Sequence, residues 1–196
     1  MKKLAQTLAF AIALTGVFTS CEEDKKDNNG GNNPTTFKQE LVYDGTTYTL
    51  KEAFIIDYGV TDNAANFDIN LVSDGITVQF DNDGAPIGAT GDGFAVYIEA
   101  WSADTVKFAD GTYTIDTVDL GKAGTISYAS IDRIQSGQFM DESEWAEGSS
   151  CTIEVNDKEH TITGSGTTRN GKSFSFSFRK EFDYIDDDVF KKKFRL

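Results

Sequence analysis

The sequence predicts an all-β protein, a single domain built as an antiparallel β-sandwich or barrel of about ten short strands. From Phe37 onward, apolar and polar residues alternate with the period of a half-buried strand, and long stretches at the helical period are missing. Glycine-containing pairs separate most of the alternating segments, and such pairs supply the positive φ that tight turns need. The pairs are Asp44-Gly45, Asp74-Gly75, Asp83-Gly84, Asp110-Gly111 and Asn170-Gly171.

The clearest strand is segment 173–178, in which three phenylalanines point to one face and three serines to the other. The same alternation predicts seven earlier strands, at residues 47–50, 67–71, 76–80, 94–101, 112–116, 152–155 and 160–163. Pro34 and Pro86 lie in the linker and beside a turn, so neither interrupts a strand interior.

Two segments break this alternation, and a rigid β scaffold usually carries its binding sites on such loops. Segment 135–150 holds Phe139, Met140 and Trp145 among four acidic residues, and these three are the predicted ligand-binding residues. Trp145 either stacks on a sugar or seals one end of the sandwich. The second segment, the tail 183–196, is predicted as a short amphipathic helix or a charged edge strand.

The start of the chain has the layout of a secretory signal peptide, predicted at residues 1–20. Lys2 and Lys3 precede an uncharged run to Phe18, which is followed by the small residues Thr19 and Ser20. The run is shorter than the roughly 20 apolar residues that a transmembrane helix needs, and the sequence offers no second candidate. A polytopic membrane protein is therefore not expected.

The end of this signal, Phe18-Thr19-Ser20-Cys21, resembles the lipobox of bacterial lipoproteins, in which the cysteine takes a diacylglycerol before the signal is cut. It departs from the usual pattern in having Phe18 where leucine is common and Ser20 where glycine or alanine is common. Two acyl chains are enough for stable anchoring. The resemblance implies attachment to a membrane through lipid on Cys21, and the alternative is an ordinary signal with an incidental cysteine.

Residues 21–36 are predicted to be a flexible acidic tether, because the stretch after Cys21 contains no apolar residue until Phe37. Glu22, Glu23 and Asp24 directly behind the cysteine resemble the export signal of Bacteroidetes lipoproteins that reach the outer face of the outer membrane. This resemblance implies an outer-membrane protein that faces the exterior. The alternative is a solvated linker without a sorting role.

Residues 37–196 form the predicted β-sandwich domain and resemble the small β-sandwich surface lipoproteins that are common in Bacteroidetes. The resemblance rests on turn and strand motifs, namely Leu41 to Leu50, Asp110-Gly111-Thr112-Tyr113, Ile162 to Thr167 and Gly171 to Phe174. The resemblance implies a β-sandwich fold and a location at the cell surface, and it predicts no catalytic residue.

The charge of the chain limits its partners. The precursor has 18 basic and 32 acidic residues, and loss of Lys2 and Lys3 with the signal leaves 16 against 32, a net charge of −16. Nucleic acid is therefore not an expected partner, whereas neutral ligands such as sugars are compatible with this charge. Of the two cysteines, Cys151 would have no disulfide partner, and its alternation turns it inward as a free thiol.

No catalytic or metal-binding motif stands out in the sequence. His160 is the single histidine, which excludes a multi-histidine metal site, and we expect it to be an exposed strand residue rather than a triad member. The run Asp81 to Gly84 is predicted to be a hairpin turn rather than a calcium loop. No metal and no cofactor are predicted.

Three classes of function therefore remain for the sequence. The favoured class is a lipid-anchored, non-catalytic binding or accessory module for glycans or a partner protein, because no catalytic constellation is visible. The others are a structural or adhesive surface subunit and an extracytoplasmic hydrolase, whose carboxylate pair would be defined by spatial separation rather than by sequence spacing.

Overall fold

A computed structural model describes residues 37–61 and 63–186 of the chain, and every regular element among them is a β-strand. The predicted signal peptide 1–20, the predicted tether 21–36 with the predicted lipidation residue Cys21, and the part of the tail after Asp186 lie outside the described residues. The strands of the described part are β1 (Glu40–Tyr43), β2 (Thr46–Thr61), β3 (Ala64–Ser73), β4 (Ile76–Phe80), β5 (Pro86–Gly91), β6 (Gly93–Ser102), β7 (Gly111–Ile115), β8 (Thr125–Gln135), β9 (Gln138–Glu144), β10 (Ser150–Asn156), β11 (Glu159–Thr167), β12 (Ser173–Glu181) and β13 (Tyr184–Asp186).

Within residues 37–61 and 63–186, no helix has the length and apolar character needed to cross a bilayer.

The strands form a closed barrel, which confirms the all-β prediction and selects the barrel over the sandwich. Hydrogen-bonded neighbours follow the order β1, β12, β11, β10, β7, β8, β6, β3, β2, and β2 pairs back with β1. Most pairs are antiparallel as predicted, but β7 pairs with β8, and β13 with β2, in parallel. Parallel and antiparallel strands show the same alternation of apolar residues, so the sequence could not distinguish the two kinds of pairing.

The barrel interior is filled by one hydrophobic cluster. Register aligns Ile55, Ile69 and Ile98 on β2, β3 and β6, and all three side chains are completely buried. The three phenylalanines of segment 173–178 enter the same cluster from β12, as the sequence predicted. The period of two thus places alternate residues of every barrel strand inside.

Two of the predicted turns show different uses of glycine. Asp44 and Gly45 both have positive φ, 49° and 76°, which matches the turn type that joins β1 and β2 tightly. Gly75 has no positive φ, but a Cβ at this position would lie 2.1 Å from the carbonyl oxygen of Asp92. Close approach of two backbones, rather than backbone conformation, therefore requires this glycine.

A hairpin of β4 and β5 lies outside the barrel and covers part of its outer wall. Ile76 on the hairpin joins Val72, Ala95 and Ile134 of the barrel in a second hydrophobic cluster. At its tip, Asp81 Oδ1 accepts hydrogen bonds from the backbone N–H groups of residues 83 and 85 at 2.8 and 3.0 Å, so the run 81–84 is the predicted hairpin turn. The outer wall formed by β2, β3, β6 and β8 is therefore partly covered.

Candidate functional site

The opposite wall of the barrel presents a surface rich in hydroxyl groups. On β7, β10, β11 and β12 most inward positions are apolar or glycine, His160 being an exception, and most outward positions are serine or threonine, which are exposed or half-buried. We call this surface the hydroxyl face; it consists of Thr112, Thr114, Ser150, Thr152, Thr161, Thr163, Ser165, Thr167, Ser173, Ser175 and Ser177.

Strand register orders these hydroxyl groups in rows across the four strands. One row is Thr112, Thr152, Thr163 and Ser177, and the next is Thr114, Ser150, Ser165 and Ser175. Neighbours in a row are about 4.7–4.9 Å apart, as adjacent strands are. The Oγ1 atoms of Thr112 and Thr152 lie 2.9 Å apart and form a hydrogen bond. Each hydroxyl can donate and accept a hydrogen bond, so the face can bind a ligand either as donor or as acceptor.

A groove of about 680 Å³ lies at one end of the hydroxyl face, and its charged side chains are Asp110, Glu154, Glu159 and Arg179. The Arg179 Nε donates a hydrogen bond to Thr161 Oγ1 at 3.0 Å and lies 4.0 Å from Glu159 Oε1. A smaller depression of about 130 Å³ continues the groove along β10 and β11, and Thr152 lines both.

None of the residues that line the groove or the depression is aromatic. The site therefore offers hydrogen bonds and a few charges rather than a stacking platform. Sequence analysis missed it, although the alternation of serine and threonine was the available signal.

Segment 135–150, predicted as a loop, is mostly a β-hairpin. Strand β8 extends to Gln135, and β9 begins at Gln138 and pairs with β8. Register shifts within this pair, because Arg133 pairs with Asp141 but Ile134 pairs with Phe139. The loop prediction was wrong because this bulge adds a residue and breaks the period of two.

The three predicted ligand-binding residues do not form one cluster. Phe139 and Met140 are 55% and 56% exposed on β9. Trp145 is 2% exposed, and its ring centroid lies 4.5 Å from that of Phe174. Because Trp145 is buried, neither face of its ring is free to stack on a sugar. Its position instead fits the second role considered for it, that of a residue that seals the core. Contacts of Phe139 and Met140 with a ligand remain predictions.

His160, expected to be exposed, is 1% exposed and packed in the barrel wall. Its Nδ1 lies 2.8 Å from the carbonyl oxygen of Lys158, and its Nε2 lies 2.7 Å from the hydroxyl of Tyr184. Burial lowers the pKa of the ring. Both nitrogens are thus held by structural partners, and β13, which the sequence did not resolve, supplies one of them.

Cys151 is a buried free thiol on β10, and it belongs to the main core cluster together with Ile153, as the alternation predicted. Burial raises the pKa of its thiol to about 12. Because the thiolate is the reactive form of cysteine, Cys151 is inert at neutral pH and serves as a core residue.

Asp132 is a buried carboxylic acid on the outer wall of β8. It is 5% exposed, and its Oδ1 has no hydrogen-bond partner among the residues that the structure describes. Burial, with a smaller contribution from the charge of Asp141, raises the pKa of Asp132 to about 7. Such a pKa suits general acid catalysis, but Asp132 lines neither the groove nor the depression. The raised pKa of Asp132 is therefore expected to affect the stability of the fold.

Comparison with known proteins gives no relative of this chain. No protein-family model matches it, and neither a curated protein nor a solved structure does. In the described part of the chain, no group of three or more histidine, cysteine, aspartate or glutamate side chains is placed to hold a metal ion.

Proposed function

We propose that this chain is a lipid-anchored envelope lipoprotein of the outer membrane that faces the exterior and acts as a non-catalytic binding or accessory module for a neutral glycan. The proposed class of ligand, a neutral glycan, is inferred from the hydroxyl face and its groove. The lipobox-like sequence ending at Cys21 and the acidic residues behind it support the location.

The chemistry of the face favours a neutral, polyhydroxylated ligand. Ordered rows of threonine and serine can exchange hydrogen bonds with sugar hydroxyls, which also both donate and accept. A net charge of −16 after signal removal, calculated from 16 basic and 32 acidic residues, disfavours sulfated or acidic glycans. The filled interior leaves the outer wall as the binding surface.

A second candidate is a structural or adhesive subunit that binds a partner protein or a further copy through β9. Phe139 and Met140 are exposed on this strand, and β8 is its only paired strand in the described part of the chain. The bulge and the acidic residues Asp141 and Glu142 are features that commonly prevent edge-to-edge association. The hydroxyl face therefore remains the better-supported site.

The lipid anchor is tested by Cys21→Ser. We expect the variant to lose incorporation of a fatty-acid analogue and to leave the membrane fraction, because residues 22–36 contain no apolar side chain that could replace the acyl chains. Metabolic labelling and fractionation measure both effects, with Cys151→Ser as the control that keeps its label. A wild-type chain that takes up no label and fractionates as soluble would contradict the anchor.

The glycan site is tested by Thr152→Arg, which places a long side chain where the groove meets the depression. The mature chain is first screened on a glycan array, and we expect neutral glycans among its ligands. Thr152→Arg should then weaken binding of such a glycan at least about tenfold, equivalent to about 1.4 kcal/mol. Thr77→Arg on β4, an exposed strand threonine away from the face, is the matched control.

Two results would contradict the glycan site: equal binding by both variants, or an array without any neutral ligand. Concentration-dependent self-association that a charged substitution of Phe139 abolishes would instead favour the structural subunit. Analytical ultracentrifugation of the same preparations distinguishes these outcomes.

A further inference from the structure

The outer wall of the barrel carries a half-buried carboxylate among aromatic rings. Val96 and Ile98 on β6 are completely buried in the barrel interior, so the residues that alternate with them face outward. These outward residues are Tyr97, Glu99 and Trp101, and all three are half-buried. Glu99 therefore lies on the outer wall between two aromatic residues of its own strand.

Two neighbouring strands complete the surroundings of Glu99. Register places Asp68 of β3 opposite Glu99 on one side and Tyr128 of β8 opposite it on the other. Directly opposite residues share a face of the sheet, with their Cβ atoms about 4.5–5.5 Å apart. We call this group the Glu99 patch; it consists of Asp68, Tyr97, Glu99, Trp101 and Tyr128.

The polar ends of the three rings are occupied or buried. The Tyr97 hydroxyl donates a hydrogen bond to Asp68 Oδ2 at 2.7 Å, and Trp101 Nε1 donates one to Ser127 Oγ at 3.1 Å. The hydroxyl of Tyr128 is buried. The Tyr97 and Tyr128 ring centroids are 5.9 Å apart, and their planes are inclined by 52°. The patch therefore offers inclined π surfaces to a ligand, rather than hydrogen-bonding groups or a flat stacking platform.

Two carboxylates give the patch its negative charge. The Glu99 carboxylate makes no hydrogen bond and no ion pair among the residues that the structure describes. Burial, then the charge and hydrogen bond of Asp68, then the charge of Glu99, raise the pKa of Tyr97, so both carboxylates lie close enough to act on this ring. Neither β3 nor β6 contains a lysine or an arginine. A cation is therefore the complementary ligand for this surface.

Ring faces beside a carboxylate favour an organic cation over a metal ion. A calcium ion takes about six to eight oxygen ligands, and in the described residues no three acidic, histidine or cysteine side chains are placed to hold a metal ion. A quaternary ammonium group has no N–H that needs an acceptor, and aromatic faces attract its charge. Such a group matches a patch that supplies ring faces and charge but few hydrogen-bonding atoms.

We propose that the Glu99 patch binds the quaternary ammonium group of a small soluble ligand. Tyr97, Trp101 and Tyr128 supply the ring faces, and Glu99 supplies the opposite charge. The hydrogen bond from Tyr97 to Asp68 polarises the phenol and strengthens the attraction of its ring for a cation. The patch lies outside the hydroxyl face, so this site depends neither on glycan binding nor on the lipid anchor.

Choline is the probe for this site, and Trp101 is its reporter. The chain has two tryptophans, and the other, Trp145, is buried in the core, so a ligand at the patch should change the fluorescence of Trp101. The mature chain, purified in a non-ionic detergent, is titrated with choline and in parallel with 3,3-dimethyl-1-butanol, which has the same shape without the charge. We expect saturable binding of choline and at least about tenfold weaker binding of the neutral alcohol.

Glu99→Gln keeps the shape of the side chain and removes its charge. We expect it to weaken choline binding at least about tenfold. Glu181→Gln is the matched control, because it removes an exposed carboxylate at the end of β12, on the opposite wall, and should bind choline as the wild type does. Isothermal titration calorimetry measures binding by each variant without relying on fluorescence, and circular dichroism checks that each is folded.

Three results would overturn the proposal. The first is the absence of saturable choline binding by the wild type. The second is equal affinity for choline and the neutral alcohol, which would show apolar contact without recognition of charge. The third is an equal loss of binding in Glu99→Gln and Glu181→Gln, which would show a response to net charge rather than to the patch. If Glu99→Gln failed to fold, the comparison of choline with the neutral alcohol on the wild type would still decide.

Discussion

Replacement of Trp145 by alanine is expected to lower the free energy of unfolding by about 3–5 kcal/mol, the range for loss of a large core aromatic side chain. Trp145 is among the largest fully buried side chains, and it packs against Phe174 and Phe176 with ring centroids 4.5 and 5.8 Å away. Its loss would leave a cavity between the end of β9 and β12. Denaturant unfolding of the variant beside wild type measures the change.

Phe139→Ala is the matched control, because Phe139 is an aromatic residue of the same hairpin but is 55% exposed. It should change stability by less than about 0.5 kcal/mol, as surface substitutions usually do. Trp145→Phe should cost less than Trp145→Ala, because it keeps the ring packing and removes a buried indole N–H that has no partner in the described part of the chain. A stable Trp145→Ala variant that lost glycan binding would return Trp145 to the binding site.

Asp132→Asn is expected to stabilise the protein by about 4 kcal/mol above pH 7 and to have little effect near pH 4. The folded state raises the pKa of Asp132 from its ordinary 3.8 to about 7, chiefly through burial. Between these two values the folded state therefore binds more protons than the unfolded state. The stability of the wild type should fall as pH rises through this window, and asparagine removes the cost of burying the charge.

Unfolding curves at a series of pH values test this expectation. The buried His160 acts in the opposite direction, because burial lowers its pKa and stability is then lost as pH falls below the ordinary value of 6.5. The difference between Asp132→Asn and wild type cancels this contribution. Glu154→Gln, at an exposed residue of the groove, is the control and should change stability by less than about 0.5 kcal/mol. A difference that does not vary between pH 4 and 8 would show that Asp132 is not buried as a charge.

The sequence alone predicted eight of the thirteen strands in the described part of the chain, together with many turns, because both depend on neighbouring residues. The alternation of segment 173–178 depends only on the period of a strand, and it placed the three phenylalanines of β12 inside correctly. The inward orientation of Cys151 followed in the same way. In segment 135–150 the same reasoning failed, because a bulge at Met140 shifts the period in the middle of β9.

Tertiary structure alone decided closure of the barrel, the two parallel pairings and the environments of single residues. Trp145 is buried by Phe174, 29 positions later, and His160 by Tyr184 on β13, in the tail for which the sequence left a helix and an edge strand open. The hydroxyl face also depends on register, since Thr152 meets Thr112 on one side and Thr163 on the other. Local periodicity fixes which way a side chain points, whereas the neighbours that bury it or extend it into a surface come from distant parts of the chain.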